Sequence, residues 1–267
     1  MKELSLKEIK AVEFELLTVF DSFCKKHNIR YFLSNGTLLG AVKYKGFIPW
    51  DDDVDVLVTR ADYMRMLELF QDDERYQLFA HEKNANYKYP FAKLCDMTTR
   101  KLEQNIDNGV ALGIDMDIFP LDAWNADLQK AEKEVKYIKM NMLLLGWSKL
   151  KRADSLNPLK RVIKGVLMCF CKMCGSGLFI RNIIRASKRC TEGCVPYVGC
   201  KSWCIYGTRE IIPASVFENV FDVEFEGAVF SAPVGYDTYL RSLYGDYPED
   251  PPIEKQKTHH SFKAYRL

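Results

Sequence analysis

No run of about 18 apolar residues occurs anywhere in the 267-residue chain, so the sequence offers no obvious bilayer-spanning helix. The stretch 1–10 is polar and lacks the marks of a secretory signal, which points to a cytoplasmic protein. An excess of one charge is missing as well, since 38 Lys and Arg oppose 36 Asp and Glu and leave a net +2. With that balance, and with no helix-turn-helix, finger or aromatic ribonucleoprotein motif, nucleic acid is not an expected partner. No internal repeat is present. Cysteine is plentiful but odd in number, nine in all, and Cys169, Cys171, Cys174, Cys190, Cys194, Cys200 and Cys204 cluster in one third of the chain. The two Cys-x3-Cys pairs, Cys190/Cys194 and Cys200/Cys204, are looser than the Cys-x2-Cys of zinc ribbons. Reduced structural thiols are therefore expected, with a structural zinc as the alternative.

Against these absences stands one dense acidic block. Asp51, Asp52, Asp53 and Asp55 fall within five residues, and Val54-Asp55-Val56-Leu57-Val58 follows directly with strand character. Side chains alternate faces along a strand, so Asp53 and Asp55 share one face. Like charges about 5 Å apart repel by roughly 3 kcal/mol in a protein environment, which calls for a cation, a proton or water between them. Oxygen-only donors suit Mg²⁺ or Mn²⁺ rather than zinc. A solvated acidic loop is the ordinary alternative for such a run, but it has no need of the valines. A second pattern of this kind is Ile114-Asp115-Met116-Asp117-Ile118, a strand with one polar face. Asp122, just beyond, reads as a cap for the helix that follows.

Upstream, Tyr31-Phe32-Leu33 reads as a short strand, Ser34-Asn35-Gly36-Thr37 as a tight turn, and a helix is expected to begin near Thr37. Glycine there lets backbone N–H groups approach an anion, and the helix start adds partial positive charge. An ordinary strand-to-helix turn would look the same.

Periodicity supplies the rest. Ser5-Leu6-Lys7-Glu8 is a capping box, and Ile9, Val12, Leu16, Val19 or Phe20, and Phe23 continue an amphipathic helix to about Lys26. Helices are expected over 60–70 and 125–150, the latter capped by Asn125, and Pro158 is placed to open another. Strands are expected over 76–80 and 89–95. Between Lys149 and Arg189 eleven Lys or Arg meet a single acid, Asp154, so the remainder of the chain is acidic by about eight charges. The stretch 162–180 reads either as an amphipathic helical hairpin packed on the core or as a basic apolar face suited to an anionic membrane surface.

Taken together, these blocks resemble the nucleotidyltransferase (polymerase-β-like) superfamily, and within it the LicD phosphotransferases. The resemblance rests on 36–42 (Gly-Thr-Leu-Leu-Gly-Ala-Val), 45–55 (Lys-Gly-Phe-Ile-Pro-Trp-Asp-Asp-Asp-Val-Asp) and 117–122 (Asp-Ile-Phe-Pro-Leu-Asp). It continues through 239–247 (Tyr-Leu-Arg-Ser-Leu-Tyr-Gly-Asp-Tyr), Pro251-Pro252 and His259-His260. Fukutin-type enzymes are more distantly similar through the aspartate block.

The resemblance implies an α+β fold with a mixed-sheet core and helical additions. It divides the chain into a catalytic core at 1–124, a basic helical segment at 125–190 and a C-terminal part at 191–267 that completes the same domain. It also implies transfer of phosphocholine, or a similar phospho-alcohol, from CDP-choline or a related CDP-alcohol. The acceptor would be a hydroxyl of a cell-envelope glycan or its lipid-linked precursor, and CMP would leave.

On that reading Asp53 and Asp55 hold Mg²⁺ (or Mn²⁺) with Asp51 in support, and Asp117 is a further ligand or the base. Asp115 competes for Asp117's place, although the family motif favours Asp117. Gly36 and Thr37 would hold phosphates, and Lys93 would neutralise the leaving group. Trp50, or Tyr87, Tyr89 and Phe91, would offer π faces to choline. Arg241 is a family position expected at the substrate; His259 and His260 match the motif without a derived role. The basic stretch 149–189 would make peripheral membrane contact. Two other functions share these residues: nucleotidyl transfer with release of pyrophosphate, and a catalytically silent membrane-associated binding protein.

Overall fold

The structure is a computed structural model that describes residues 2–154, 157–189, 195–250, 252, 254, 256, 258 and 262–267. From the N-terminus, β1 (Lys2–Glu3) leads into α1 (Leu6–His27), β2 (Tyr31–Leu33), α2 (Asn35–Tyr44), β3 (Asp55–Thr59) and α3 (Arg60–Leu69). Four strands follow: β4 (Tyr76–Phe79), β5 (Ala92–Asp96), β6 (Thr99–Glu103) and β7 (Ile114–Ala123). Three helices come next, α4 (Leu128–Lys149), α5 (Pro158–Cys174) and α6 (Ser176–Ser187). The chain closes with β8 (Tyr197–Gly199), β9 (Ile212–Pro213), β10 (Val220–Phe225), β11 (Ala228–Pro233), α7 (Tyr236–Tyr244) and β12 (Phe262–Arg266).

The central sheet runs β2-β3-β7-β5-β4, with β8 and β9 continuing from the far end of β7. Only β3 and β7 run parallel; the other neighbours are antiparallel, so the class is mixed α+β as expected. In a separate small sheet β12 lies between β1 and β6, which brings both ends of the described chain together.

Helix α1 forms where the capping box predicts. Ser5 Oγ accepts from the Glu8 N–H at 3.3 Å, and the Glu8 carboxylate accepts from the Ser5 N–H at 2.9 Å. It is Phe20, not Val19, that continues the buried face through Val12 and Leu16. Two hydrophobic cores result. The larger joins the sheet to α1, α2, α3 and α7; the smaller is built by α4, α5 and α6 around Val135, Ile138, Leu145, Cys171, Phe179, Ile180 and Ile183, with Trp124 and Cys204.

Several expectations are corrected. Helix α2 starts at Asn35, two residues early, because Asn35 takes a left-handed φ of 46° that turns the chain directly from β2 into the helix. Asp122 caps nothing: β7 runs ten residues to Ala123, and the Asp122 carboxylate is gripped in a fork by Arg60 at 2.7 and 2.6 Å. Asp127, rather than Asn125, caps α4 by accepting from Gln129 and Lys130 N–H groups. Strand β5 begins at Ala92, after Pro90, which has no N–H to give to a ladder. The stretch 162–180 is broken at Gly175 (φ 79°), where α5 and α6 meet at 72°.

Candidate active site

Asp55 opens β3 and stands directly opposite Asp117 on the parallel strand β7; Lys93 on β5 stands opposite Asp117 from the other side. Three strands thus place Asp55, Asp117 and Lys93 in one row. The row is continuous because the Asp117 N–H donates to Val54 O at 2.8 Å, extending the ladder one residue before β3 proper.

The ends of the row are fixed from α2. Thr37 Oγ1 accepts from the Asp55 N–H at 2.8 Å, and Asn35 Nδ2 donates to Asp55 Oδ2 at 3.0 Å. Asn35 in turn accepts from the Tyr239 hydroxyl at 3.0 Å. Thr37 is buried beneath the strand, so its hydroxyl serves the strand rather than the cavity, where the sequence placed it on phosphate. Gly36 keeps its expected position at the surface of the site. A Cβ there would come within 2.6 Å of Asp51 Oδ2, so a larger residue would displace the Asp51 carboxylate from the turn. The loop itself is clasped from α1, where Lys10 Nζ donates to the carbonyls of Ile48 and Pro49 at 2.9 and 3.1 Å.

Lys93 is buried and pairs with Asp115 at 2.6 Å and with Asp117. Its ammonium is therefore engaged by carboxylates before any leaving group arrives. Asp115 also meets Lys101, at 3.1 Å. Burial alone would raise the Asp115 carboxyl, but Lys101 and Lys93 outweigh it and hold it at about 2. For Asp117 burial wins over Lys93, and the carboxyl titrates above its usual range. This separates the two candidates. Asp115 is the counter-ion of two lysines, whereas Asp117 is in register with Asp55 and partly open. Asp55 is pushed well above the carboxylate range, first by burial and then by Asp53 and Asp117.

A cavity of about 600 Å³ opens beside this row. Asn35 and Gly36 of the first turn of α2 border it, so the positive end of that helix faces the space. Among the described residues six carboxylates line it, those of Asp51, Asp53, Asp55, Asp246, Glu249 and Asp250, against one lysine, Lys43. Lys43 is itself bonded to Asp250. Tyr44, Trp50, Tyr206, Tyr244 and Tyr247 supply aromatic walls. Trp50 meets Tyr44 edge to face at 6.4 Å, and the Tyr206 and Tyr244 hydroxyls bond at 3.0 Å. Of these rings the sequence singled out only Trp50. The other aromatic candidates, Tyr87, Tyr89 and Phe91, are buried in the sheet core; the protein's own Lys149 Nζ sits 3.1 Å above the Tyr89 ring. Arg241 does not line the cavity. It is bound to Asp237 and Asp246 at 3.0 and 3.2 Å, behind the wall that Asp246 and Tyr247 form.

Does the donor set suit a hard cation? Asp55 is buried and faces the further carboxylates of Asp53 and Asp117, and among the described residues the acids that line the cavity outnumber its bases and offer oxygen donors. Among the described residues, no three His, Cys, Asp or Glu side chains are already gathered in ligand geometry. As oxygen donors, Asp51, Asp53 and Asp55 fit Mg²⁺ or Mn²⁺ by chemistry. Burial pushes the Cys204 thiol up to about 12 and the Cys200 thiol well up. Cys190 and Cys194, like His259 and His260, lie outside the described residues.

A mixed sheet that presents carboxylates from β3 and β7 beside the N-terminus of a helix defines a class, and the sequence comparisons agree with it. The chain belongs to the LicD/FKTN/FKRP nucleotidyltransferase-domain family of transferases, whose model matches residues 28–141, including Asp53, Asp55, Lys93 and Asp117. Along its whole length it is 33% identical to the lipopolysaccharide cholinephosphotransferase LicD of Haemophilus influenzae, with 100% of both chains covered. Shorter matches reach uncharacterised proteins of Rickettsia prowazekii, 38% identical over 28% of this chain and 25% of that one, and of Rickettsia typhi, 40% identical over 26% and 20%. Among the described residues no single helix is long and apolar enough to cross a membrane.

Proposed function

We propose that this chain, on a polymerase-β-like core, transfers phosphocholine from CDP-choline to a sugar hydroxyl of lipopolysaccharide or its lipid-linked precursor and releases CMP. The observation that carries the reading is the cavity. One end presents Asp55, whose partner on the neighbouring strand is Asp117, and the walls are aromatic and acidic, which suits a ligand with a diphosphate at one end and a quaternary ammonium at the other.

A quaternary ammonium cannot donate hydrogen bonds and is held by π faces and nearby negative charge. Tyr44, Trp50, Tyr206, Tyr244 and Tyr247 give the faces, and Asp246, Glu249 and Asp250 give the charge. The diphosphate would lie towards Asn35 and Gly36, where the start of α2 favours anions. Asp51, Asp53 and Asp55 would hold Mg²⁺ or Mn²⁺, which when bound neutralises the diphosphate against this acidic wall.

In the transfer step the acceptor oxygen forms a bond to the phosphorus of phosphocholine as the bond to the CMP oxygen breaks. Asp117 takes the acceptor proton; its raised pKa makes it the better base, and Lys93 keeps the carboxylate oriented. The full-length likeness to the Haemophilus influenzae enzyme supports this choice of substrates.

Product analysis tests the reading. Incubation with CDP-choline, Mg²⁺ and a truncated lipopolysaccharide should yield CMP and a phosphocholine-bearing glycan. Pyrophosphate released from a nucleoside triphosphate instead would replace this reading with nucleotidyl transfer.

A further inference from the structure

Helix α5 is amphipathic, but its apolar stripe faces away from the protein. Leu159, Val162, Ile163, Val166, Phe170 and Met173 recur every three or four residues and so form one stripe. All six are exposed, Val166 by 64%, Phe170 by 59% and Met173 by 86%. On the opposite side Cys171 is buried and holds the helix to the smaller core. Its neighbour α6 behaves conventionally, burying Phe179, Ile180, Ile183 and Ala186 in the same core as α4. The continuous exposed stripe is carried by α5, while α6 exposes Leu178 and α4 exposes Tyr137, Met140 and Leu143.

We propose that α5 lies in the plane of an anionic phospholipid bilayer, with this stripe inserted at the boundary between headgroups and acyl chains. The charge of the segment selects this occupant. Lys160 and Lys172 lie to either side of the stripe, Arg161 and Lys164 lie on the far side of the helix, and no Asp or Glu occurs from Pro158 to Arg189. An apolar face bordered by lysines, on a helix whose only charges are positive, matches a surface that is apolar beneath a layer of phosphates, and long basic side chains can reach outward to that layer. A second copy of the chain would bring the same positive charge against itself. A transmembrane arrangement does not fit either, because α5 and α6 bend by 72° and α6 is committed to the core. None of the residues lining the acidic cavity lies on α5 or α6, so the inference stands apart from the reaction proposed above.

Co-sedimentation of the full-length protein with vesicles tests this. The protein should pellet with vesicles of phosphatidylcholine mixed with phosphatidylglycerol, pellet poorly with phosphatidylcholine alone, and release as salt is added. The double variant Val166→Asp/Phe170→Asp should lose binding by at least about tenfold with unchanged thermal melting, since both positions are exposed. Lys160→Glu/Lys172→Glu leaves the stripe intact and should lose the preference for anionic vesicles, which keeps the test decisive if the first variant misfolds. Failure of the wild type to pellet with anionic vesicles would overturn the proposal. So would equal binding by the wild type and both variants, or a homodimer in light scattering that Phe170→Asp dissociates.

Discussion

Asp55 and Asp117 are direct partners across the parallel pair β3 and β7, which makes two acids from strands over 50 residues apart in sequence into neighbours on one face. Everything else in the site is arranged around their charge. Lys93 and Lys101 neutralise the β7 end, α2 fixes the β3 end through Thr37 and Asn35, and the acidic loop leans on Gly36.

Lys93→Met should destabilise the fold by about 3 kcal/mol at neutral pH, because Asp117 loses its buried counter-ion and Asp115 keeps only Lys101. Urea unfolding would measure the loss. The deficit should shrink as pH falls, since protonated carboxyls no longer need the ammonium. A deficit independent of pH would mean that Lys93 acts through packing alone.

Glu210 gives a pH dependence away from the reacting groups. Burial pushes its carboxyl up to about 8 from an ordinary 4.5, against hydrogen bonds from the Tyr206 and Cys200 backbones. A raised folded-state value means that the protonated form stabilises the fold. Its contribution is therefore full below 4.5 and is lost as pH rises through 8. Glu210→Gln keeps an acceptor oxygen and removes the titration, so it should be more stable than the wild type at pH above 8 by at least about 1 kcal/mol. Parallel chemical unfolding of the two proteins between pH 4.5 and 8 would show the curves diverging as pH rises.

Trp50→Ala or Tyr244→Ala should raise KM for CDP-choline roughly fivefold, the loss of about 1 kcal/mol of cation–π attraction, with a smaller effect on a CDP-alcohol that lacks the trimethylammonium group. Steady-state kinetics on the two donors checks it; equal effects on both would remove the aromatic walls from choline recognition.

Arg60→Lys should cost about 1–2 kcal/mol of stability, since a single ammonium cannot reproduce the two parallel bonds that reach the buried Asp122. Thermal unfolding would register it.

Much of this site was legible in the sequence, and the reasons it was incomplete are physical. Alternation of Asp with β-branched residues announced β3 and β7, and Ser5 with Glu8 announced α1, because those signals are local. The pairing of Lys93 with Asp117 is a matter of register between strands that no spacing encodes. The aromatic walls join Tyr44 and Trp50 to Tyr206, Tyr244 and Tyr247, rings more than 150 residues away. Asp122 was misread as a cap because β7 outruns the local pattern, its length being set by pairing with β3 and β8. The acidic loop and the Asn35 turn were visible as composition, but the role of Asn35 in bonding Asp55 becomes apparent only once the left-handed turn brings them together.

The most direct test of the account is turnover of CDP-choline with acceptor glycan by Asp53→Asn and Asp55→Asn, measured beside their thermal melting. The account predicts that each loses at least about a hundredfold in kcat while remaining folded, because these carboxylates serve the reacting phosphate rather than the core. Near wild-type turnover in either folded variant would contradict it.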